Sequence, residues 1–516
     1  MTIAAHGSSK KRVLSCLCLP LGAFTLLPLP ALSEPRFADI SDALPLAHLY
    51  TGGWEHFVGG GLAVLDCNDD GRPDLFAAGG TSPARLFVNA SKPNGALAFE
   101  TGAVPEMTGV TGAYPLDIDG DTLLDLFVMR VGPNVLLRGT GACGFTDATE
   151  ALGLDPGDGW TTAFSATWES DGLPTLATGD YVDRSDPDGP FGACAEVHLH
   201  RPMGARYDVP TVLDPGFCPL SMLFSDWQRR GETMLRISND RHYYLHDGRE
   251  QMWRLSPLEE LVATDGWAEQ KLWGMGIASR DLSGDGLPEV MLTSMGDQVL
   301  MLNEGDGFVA APFSAGAAAH RPHTGEDGRP STGWHAEFGD VDNDGHADLF
   351  IAKGNVDQMP GMAMQDPNNL LMQTPDGPFI EAAGIAGVAS TARSRGAALV
   401  DLDADGLLDL VVVNRRAPLE IYRNVTPLSG AWIGIDARQP GANHRAVGAF
   451  VELRTEAGLQ TQEITVGGGH GGGRAGPLHF GLGEAIEAEI RIVWPDGEAS
   501  PWRTLAAGTT HVISRD

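Results

Sequence analysis

The chain has 516 residues, of which 68 are Asp or Glu and 35 are Lys or Arg, giving a formal net charge of -33 at pH 7. With 42% hydrophobic residues and 67 glycines, the composition indicates a globular protein rich in turns and excludes collagen-like and disordered chains. The acidic excess argues against nucleic acid or an anionic membrane as the partner, because both require clustered Lys and Arg. Cations, basic ligands and simple solubility are the remaining roles for the acids.

Residues 1–33 have the pattern of a secretory signal peptide. A basic cluster, Lys10 to Arg12, precedes an apolar run that ends at Ala31-Leu32-Ser33. A membrane anchor is the alternative, but prolines interrupt the run and it is short for crossing a bilayer. We therefore predict cleavage after Ser33 and a mature chain that is exported, periplasmic or extracellular, without a transmembrane segment.

Four cysteines follow the predicted cleavage site, at Cys67, Cys143, Cys194 and Cys218. An even number in an oxidising compartment permits two disulfides, and three pairings are formally possible. Cys194 with Cys218 is the more plausible pair, because both lie in one loop-like stretch.

Five acidic clusters follow the pattern D-x-[DNS]-x-D-x-x-x-[DE]. They are DCNDDGRPD from Asp66, DIDGDTLLD from Asp117, DLSGDGLPE from Asp281, DVDNDGHAD from Asp340 and DLDADGLLD from Asp401. Short apolar or Gly-rich runs stand before and after each cluster, and such runs bounded by turn residues are typical of strands. Each cluster is therefore predicted to be a turn between two strands.

Two degenerate copies lie between the second and third clusters. ATWESDGLPT places Thr167, Glu169 and Thr175 at motif positions, and FSDWQRRGET places Asp226 and Gly231. The seven motif starts, at residues 66, 117, 167, 226, 281, 340 and 401, lie 50 to 61 residues apart. Periods of this size with several short strands are typical of propeller blades. We predict an all-β fold with seven blades; a solenoid is the alternative, disfavoured because no capping repeats are evident.

The clusters also have the donor set that Ca2+ prefers: side-chain oxygens at positions 1, 3, 5 and 9 and a main-chain carbonyl at position 7. An EF-hand is excluded, since position twelve is never Glu and the flanks are strands. The alternative is that Asp, Asn and Gly are simply turn formers. We predict up to five Ca2+ ions. Their ligands are Asp66, Asn68, Asp70, Arg72 and Asp74; Asp117, Asp119, Asp121 and Asp125; Asp281, Ser283, Asp285 and Glu289; Asp340, Asp342, Asp344, His346 and Asp348; and Asp401, Asp403, Asp405, Leu407 and Asp409, with Arg72, His346 and Leu407 contributing carbonyls.

The five copies are not equivalent. Ser283 and Glu289 depart from the pattern and are expected to weaken or reshape their site, and Thr122 replaces the turn glycine in the second copy. The copies at 167 and 226 lack the carboxylates, so we expect no metal there.

The repeats resemble FG-GAP repeats of the kind that build integrin-type seven-bladed propellers, in which this turn binds calcium. From Trp432 a second pattern follows: NHRAVGAF, a Gly-rich turn, LHFGLG and then WPDG, in an order that resembles the ASPIC/UnbV domain. The combination resembles bacterial relatives of the cartilage acidic protein family, departing from it in the two degenerate repeats and in a long loop around residues 183–222. We therefore divide the chain into a signal peptide over 1–33, a propeller over 34–429 and a small β-domain over 430–516. The resemblance implies a secreted calcium-binding propeller and no reaction.

The segment GGGHGGG, residues 467–473, is similar to phosphate-binding loops and to the oxyanion loop of esterases. Both readings fail on context, because the chain contains no G-x-S-x-G elbow and no strand-loop-helix unit surrounds the glycines. A Gly-rich connection that allows close backbone approach is favoured. His470 and His479 are accordingly expected to pack and hydrogen-bond.

Segments that follow each second strand should emerge on the face opposite the acidic turns, together with the segments that enter each first strand. Their polar residues suggest a ligand site at the mouth of the propeller, although polar loop ends are equally expected to be merely solvated. The candidates are Arg241, His242, His335, Lys353, Asn355 and Arg415.

Two functional classes remain. The favoured one is a secreted, calcium-stabilised binding or adhesion module for a protein or glycan. The alternative is an extracellular propeller hydrolase or lyase acting at the channel mouth, with His242, His335 or a neighbouring acid as base. No spacing of nucleophile, base and orienting group supports the enzyme.

Overall fold

A computed structural model describes residues 34–186, 192–240, 247–265, 267–427 and 429–515. The predicted signal peptide lies outside these ranges. Within them, residues 37–424 form seven four-stranded antiparallel sheets, which we call blades 1 to 7. The described residues contain no helix long and apolar enough to cross a membrane.

Each blade runs from an inner first strand to an outer fourth strand, in chain order except in blade 7. Blade 1 contains Leu62–Leu65, Asp74–Ala77, Arg85–Asn89 and Phe99–Thr101. Blade 2 contains Val110–Leu116, Asp125–Arg130, Val135–Gly139 and Phe145–Asp147. Blade 3 contains Thr161–Thr167, Thr175–Asp180, Val197–His200 and Thr211–Leu213. Blade 4 contains Pro219–Ser225, Met234–Asn239, Gln251–Leu255 and Leu258–Glu260. Blade 5 contains Gly274–Arg280, Glu289–Ser294, Val299–Asn303 and Phe308–Ala310. Blade 6 contains Gly333–Gly339, Asp348–Lys353, Asn369–Gln373 and Phe379–Glu381. Blade 7 contains Ser394–Val400, Asp409–Asn414, Glu420–Asn424 and Phe37–Asp39.

The remaining elements are short. A hairpin of Pro202–Met203 and Arg206–Tyr207 joins the last two strands of blade 3, so the stretch predicted to be one long loop contains two blade strands and this hairpin. The helical turns are Ser41–Ala43, Trp54–His56, Ala263–Asp265, Phe313–Ala315 and Ala383–Ala386.

The blades form a closed ring. The first strand of each blade contacts the first strand of the next, and the first strand of blade 7 contacts that of blade 1. The ring also closes through the chain termini of the propeller, because Phe37–Asp39 pairs antiparallel with Glu420–Asn424 as the outer strand of blade 7. A closed ring buries both faces of every blade, which a single blade cannot do. The solenoid alternative is therefore wrong.

Residues 431–514 form a second β-structure, the C-terminal domain. One sheet contains Leu478–Gly483, Ala431–Arg438 and Thr510–Ser514; the other contains Gly458–Glu463, Phe450–Thr455, Glu487–Val493 and Arg503–Ala506. Alternating apolar residues of both sheets pack into one core, as the sequence pattern predicts.

The turns between first and second strands define one face of the ring, which we call the turn face; the opposite side is the loop face. The C-terminal domain covers the turn face. Arg229 Nη2 lies 2.6 Å from Glu452 Oε1, and the N–H of Gly430 donates to the carbonyl of Asp342 at 2.8 Å.

The Gly-rich segment of the C-terminal domain enters the central channel of the ring. The N–H of Val64 donates to the Gly473 carbonyl, that of Ala113 to the Gly471 carbonyl and that of Ala166 to the Val466 carbonyl, each at 3.0 Å. A Cβ added at Gly61 would lie 1.7 Å from the carbonyl oxygen of Gly471. The expectation of close backbone approach is met, because only glycine leaves room for strands from several blades to contact the segment.

Candidate metal centre and loop face

The turns with the full motif, which we number by blade, are held by carboxylates that accept main-chain N–H groups. At position 1 of turn 6, Asp340 accepts bonds from Asp344 and Gly345 at 3.0 and 2.7 Å. At position 9, Asp348 accepts bonds from Val341 and Gln373 at 2.9 and 3.0 Å, which ties the turn to the third strand. Turns 1, 2, 5 and 7 repeat the position 1 scheme, so these acids fix the loop conformation with or without a cation.

Turn 6 gathers three carboxylates. Ligand atoms of Asp340, Asp342 and Asp344 lie within 4.8 Å of one another, and the first two residues are nearly completely buried. Burial, and then the neighbouring carboxylates, raise the pKa of Asp340 well above its ordinary value. His346 Nδ1 lies 3.2 Å from Asp344 Oδ1, a contact that raises the pKa of the imidazole. Such crowded acids are the arrangement that a bound cation stabilises.

Turn 7 has carboxylates at the same four motif positions as turn 6, and one arginine lies beside them. Asp401, Asp403 and Asp409 lie within 4.8 Å of one another, and burial raises the pKa of Asp401 to about 7. Arg423 Nη2, on the third strand, lies 2.6 Å from Asp403 Oδ2 and 3.2 Å from Asp405 Oδ2. Asp403 Oδ1 is buried and has no hydrogen-bond partner among the described residues.

Turn 2 resembles turn 7 despite lacking the turn glycine. Asp117, Asp119 and Asp125 converge within 4.8 Å, and Arg138 Nε lies 2.7 Å from Asp119 Oδ2. Asp119 Oδ1 is buried and has no partner within the described ranges. Thr122 adopts φ = +77°, the left-handed conformation that glycine provides in the other copies.

Turns 1 and 5 do not gather three carboxylates in the part of the chain that the structure describes. In turn 1, Arg72 Nη2 contacts Asp70 Oδ2 at 2.5 Å, and Asn68 Nδ2 donates to the same oxygen at 3.0 Å. Asp74 lies instead beside the sulfurs of Cys67 and Cys143, which are joined in a disulfide and are not metal ligands. In turn 5, Ser283 Oγ accepts a bond from Asp285 N at 3.3 Å.

The two degenerate turns keep their shape without a carboxylate cluster. In turn 3, Glu169 is held by both Arg201 Nε at 2.7 Å and Arg201 Nη2 at 2.9 Å, and Thr175 donates to it at 2.6 Å. In turn 4, Asp226 accepts bonds from Arg230 and Gly231. An arginine therefore supplies the positive charge at turn 3.

The residues of turns 2, 6 and 7 fit a hard cation. The donors are carboxylate oxygens with no nitrogen or sulfur ligand among them, which is the chemistry that Ca2+ selects. The buried, unpartnered oxygens at position 3 of turns 2 and 7 are the second observation, because a buried carboxylate oxygen without a donor is costly.

The loop-face candidates differ from the expectation of a solvent-facing ring. Lys353 and Asp366 are fully buried and paired, with Lys353 Nζ 3.0 Å from Asp366 Oδ1. Asn355 Nδ2 donates to the Met359 carbonyl at 2.9 Å, and Arg415 Nη1 donates to the His56 carbonyl at 2.6 Å. These side chains satisfy main-chain and acidic groups of the loops, which the sequence pattern cannot distinguish from solvated ends.

His335 lies inside the channel, where its Nδ1 accepts a bond from the N–H of His470 at 3.1 Å. His470 Nε2 in turn accepts a bond from Gly59 N, and burial lowers the pKa of His470 to about 3. Both histidines therefore anchor the Gly-rich segment, as expected for His470. Arg241 and His242 lie outside the described residues.

The loop face presents a different set of arginines to solvent. Arg416 and Arg393 have side chains 44% and 27% exposed, and their nitrogens lie 2.9 and 3.6 Å from Asp357 Oδ1. Both arginines adopt left-handed φ values, +58° and +60°, which non-glycine residues adopt at some cost. The fully buried Arg415 lies 3.6 Å from the same carboxylate, so three guanidinium groups surround one acid.

Comparison with known families identifies both parts of the chain. Residues 66–128 and 281–351 match the family described as FG-GAP-like repeat, and residues 439–516 match the family described as ASPIC and UnbV. The chain therefore contains FG-GAP-like repeats followed by an ASPIC/UnbV domain.

Cartilage acidic protein 1 is a weak relative. The proteins of Xenopus tropicalis and Homo sapiens are each 31% identical over 126 residues, which is 23% of this chain and 19% of the relative. The match thus spans about a fifth of the length of these curated relatives.

Solved structures resemble the chain loosely. A chain in the crystal structure of BBS1N with ARL6DN has a TM-score of 0.43 and 10% identity, covering 77% of this chain and 99% of that one. The extracellular domain of BT4673 from B. thetaiotaomicron has a TM-score of 0.41 and 8% identity, covering 93% of this chain and 59% of that one.

Proposed function

We propose that this chain is a calcium-binding propeller that acts outside the cytoplasm as a binding or adhesion module for a protein or glycan. The observation that carries the proposal is the convergence of buried, oxygen-only donor sets in turns 2, 6 and 7. Ca2+ would be held by Asp117, Asp119 and Asp125 in turn 2, and by the acids already named in turns 6 and 7. Bound there, it would supply positive charge beyond that of Arg138 and Arg423 and stabilise turns whose conformation main-chain hydrogen bonds already hold.

Turns 1 and 5 are weaker candidates for calcium. Unlike the carboxylates of turns 2, 6 and 7, those of turns 1 and 5 do not converge in threes among the described residues, so the proposal places ions in three turns where the sequence predicts up to five. Calcium at turn 1 would require Asp70 to leave Arg72, a surface pair that contributes little stability by itself.

The disulfides support an exported protein. Cys67 pairs with Cys143 and Cys194 pairs with Cys218, which confirms the pair favoured from the sequence and fixes the other. Such bonds form and persist in the periplasm and outside the cell and are rare in the cytoplasm. Together with the signal-like residues 1–33, they favour export.

The loop face is the proposed contact surface for the ligand. The C-terminal domain covers the turn face, whereas the loop face presents Arg393, Arg416 and the 37% exposed Trp54. Arginine and tryptophan are the residue types that contribute most at binding surfaces. An acidic or carboxylated glycan or peptide matches this surface, because the guanidinium groups outnumber their single acid.

The enzyme alternative has no observation of its own in the described residues. Of its two histidine candidates, His335 is committed to the His470 N–H inside the channel and His242 is outside the described ranges. We therefore keep the binding module as the single proposal.

A direct test is a screen of the mature chain, residues 34–516, against a glycan array and an acidic peptide array, with Ca2+ and with EDTA. Binding to a defined probe should fall at least tenfold in Arg393→Ala and Arg416→Ala, and should persist in Arg454→Ala, an exposed arginine on the C-terminal domain. Equal binding by all three variants would refute the loop face as the contact surface, and no saturable binding to any probe would refute the binding module.

A further inference from the structure

A cavity of about 180 Å³ lies at the turn-face end of the central channel, under the C-terminal domain. Its walls come from the first strands of blades 2, 4, 5, 6 and 7 and from the C-terminal domain, including the Gly-rich segment. The space is of the same order as the roughly 150 Å³ engineered cavity that holds benzene, so it admits a ligand on the order of ten non-hydrogen atoms. The site exists only because the two domains meet.

Arg280, at the end of the first strand of blade 5, lines this cavity and is only 6% exposed. Its guanidinium group makes no hydrogen bond or ion pair with any residue that the structure describes. Its recorded neighbours are the ring of Phe480, 5.5 Å away, and the charges of Asp340, Arg474 and Asp281. A buried guanidinium normally binds a carboxylate, a phosphate or main-chain carbonyls, so this donor set is left for something else.

Two further arginines reach the cavity from the C-terminal domain. Arg445 has no hydrogen-bond partner in the described ranges, and its Nε is buried and unsatisfied. Arg474 lies 3.4 Å from Glu337 Oε1. Buried polar groups are satisfied in the great majority of cases, so the buried Nε of Arg445 without an acceptor is unusual.

A carboxylate and two amide side chains also line the cavity. Glu337 accepts a bond from Leu399 N at 2.9 Å and retains its second oxygen near Arg474. Gln462 and Asn443 also line the space. Three more acids line the space, and each already has a partner: Asp117 accepts bonds from Gly120 N and Thr122 N, Asp436 pairs with Arg438, and Glu463 accepts bonds from Ser225 and Asp226 N. Because the acids are engaged and two arginines have no partner within the described ranges, the cavity suits a ligand with one anionic group and several hydroxyls.

We propose that this cavity binds a small hydroxylated carboxylate of sugar-acid size, with Arg280 and Arg445 holding the carboxylate. The site is distinct from the loop face and adjoins turn 2, whose Asp117 lines the cavity. It goes beyond the proposed function without depending on it. A neutral sugar lacks the group that pairs with the two arginines and is expected to bind far more weakly.

Titration calorimetry of the mature chain in Ca2+ tests the proposal with D-glucuronate and citrate as probes and D-glucose as the neutral control. We expect one saturable site per chain for at least one of the acids, and binding at least tenfold weaker for glucose. Arg280→Met and Arg445→Met should each weaken binding of the acid at least tenfold. Arg454→Met, at an exposed arginine of the C-terminal domain outside both surfaces, should leave it unchanged.

Two cavity variants are used so that the result can be interpreted even if one of them fails to fold. Arg280 is deeply buried and its loss could disturb the propeller, whereas Arg445 is less buried and belongs to the C-terminal domain; the melting temperature of each variant in Ca2+ reports its folding. The proposal is overturned by absence of saturable binding of both acids, by equal binding of glucose, or by unchanged binding in folded Arg445→Met. Calcium binding is measured separately, so failure here leaves the proposed function standing.

Discussion

Turns 7 and 3 occupy equivalent places in the same ring but balance their charge differently. Turn 7 has four carboxylates, at Asp401, Asp403, Asp405 and Asp409, and one arginine on the third strand, Arg423, beside them. Turn 3 has Glu169 fully engaged by Arg201, an arginine just beyond the third strand of blade 3. Turn 3 also contains Asp171, whose Oδ1 accepts a bond from Ala442 N at 3.1 Å, so two acids stand against one arginine there and four against one in turn 7. The difference indicates that turn 7 gathers more negative charge than its arginine offsets, and a bound cation would supply the remainder.

Removal of calcium from the whole protein should have the largest effect. Each ion bound only to the folded state at 100 times its dissociation constant adds about 2.7 kcal/mol to the free energy of unfolding. EDTA should therefore lower the melting temperature of the mature chain strongly, and added Ca2+ should restore it while Mg2+ in equal amount should not. An unchanged melting temperature, with no calcium found by elemental analysis, would show that turn 7 does not differ from turn 3 by binding calcium.

The next largest difference is expected when the acid at motif position 3 is neutralised, Asp403 in turn 7 and Glu169 in turn 3. Asp403→Asn should abolish the site in turn 7 and lower the free energy of unfolding by about 2–3 kcal/mol in excess Ca2+. In EDTA the same substitution should have little effect or stabilise slightly, because it removes repulsion between buried carboxylates.

Glu169→Gln is the matched control in turn 3. It should cost less than about 1 kcal/mol, by the same amount in Ca2+ and in EDTA, since it only weakens a partly exposed ion pair. Chemical denaturation in Ca2+ and in EDTA measures the change in the free energy of unfolding for each of the two variants. A calcium-dependent effect of Glu169→Gln would show that turn 3 binds a cation and that the comparison is wrong.

Replacement of the two arginines should differ in its effect on calcium binding. Arg423→Met removes a cation beside turn 7, so Ca2+ should bind there about threefold to fivefold more tightly, equivalent to about 0.6–1 kcal/mol. Arg201→Met should destabilise turn 3 by about 0.5–1 kcal/mol whether or not calcium is present. Calcium titration and denaturation of both variants separate these results; weaker calcium binding by Arg423→Met would mean that the arginine supports the site.

The pH dependence that Glu463 contributes beside turn 4 should be independent of calcium. Glu463 of the C-terminal domain accepts bonds from Ser225 and Asp226 N, and burial raises its pKa to about 8. Because the folded pKa lies above the unfolded value of 4.5, the stability of the wild type should decline, relative to Glu463→Gln, as pH rises from about 4.5 through 8. Melting temperatures across this range test the sign, and a parallel profile for the two proteins would contradict it.

The repeat spacing predicted the all-β repeats and the turns between their first two strands, because motif period and strand patterning are local properties of the sequence. The closing strand Phe37–Asp39 was not predictable in the same way, since its partner Glu420–Asn424 lies at the far end of the propeller. The sequence also did not predict where the Gly-rich segment lies. Its glycines predict close approach to another backbone, but which backbone it contacts depends on how the two domains pack together.

The site was predicted unevenly for the same reason. The acids of turns 2, 6 and 7 converge as their spacing implies. Lys353 and Arg415 are buried because distant residues, Asp366 and the His56 carbonyl, satisfy them. Neither Arg423 nor Arg201 belongs to the nine-residue motif, and only an alignment of third strands by blade would have suggested that an arginine faces the turn.

Anomalous diffraction from crystals of the mature chain grown in Ca2+ tests the central claim most directly, because it locates each bound ion. The account predicts calcium peaks among the carboxylates of turns 2, 6 and 7 and none at turns 3 and 4. Absence of peaks at turns 6 and 7, or peaks of equal height at turns 3 and 4, would contradict it.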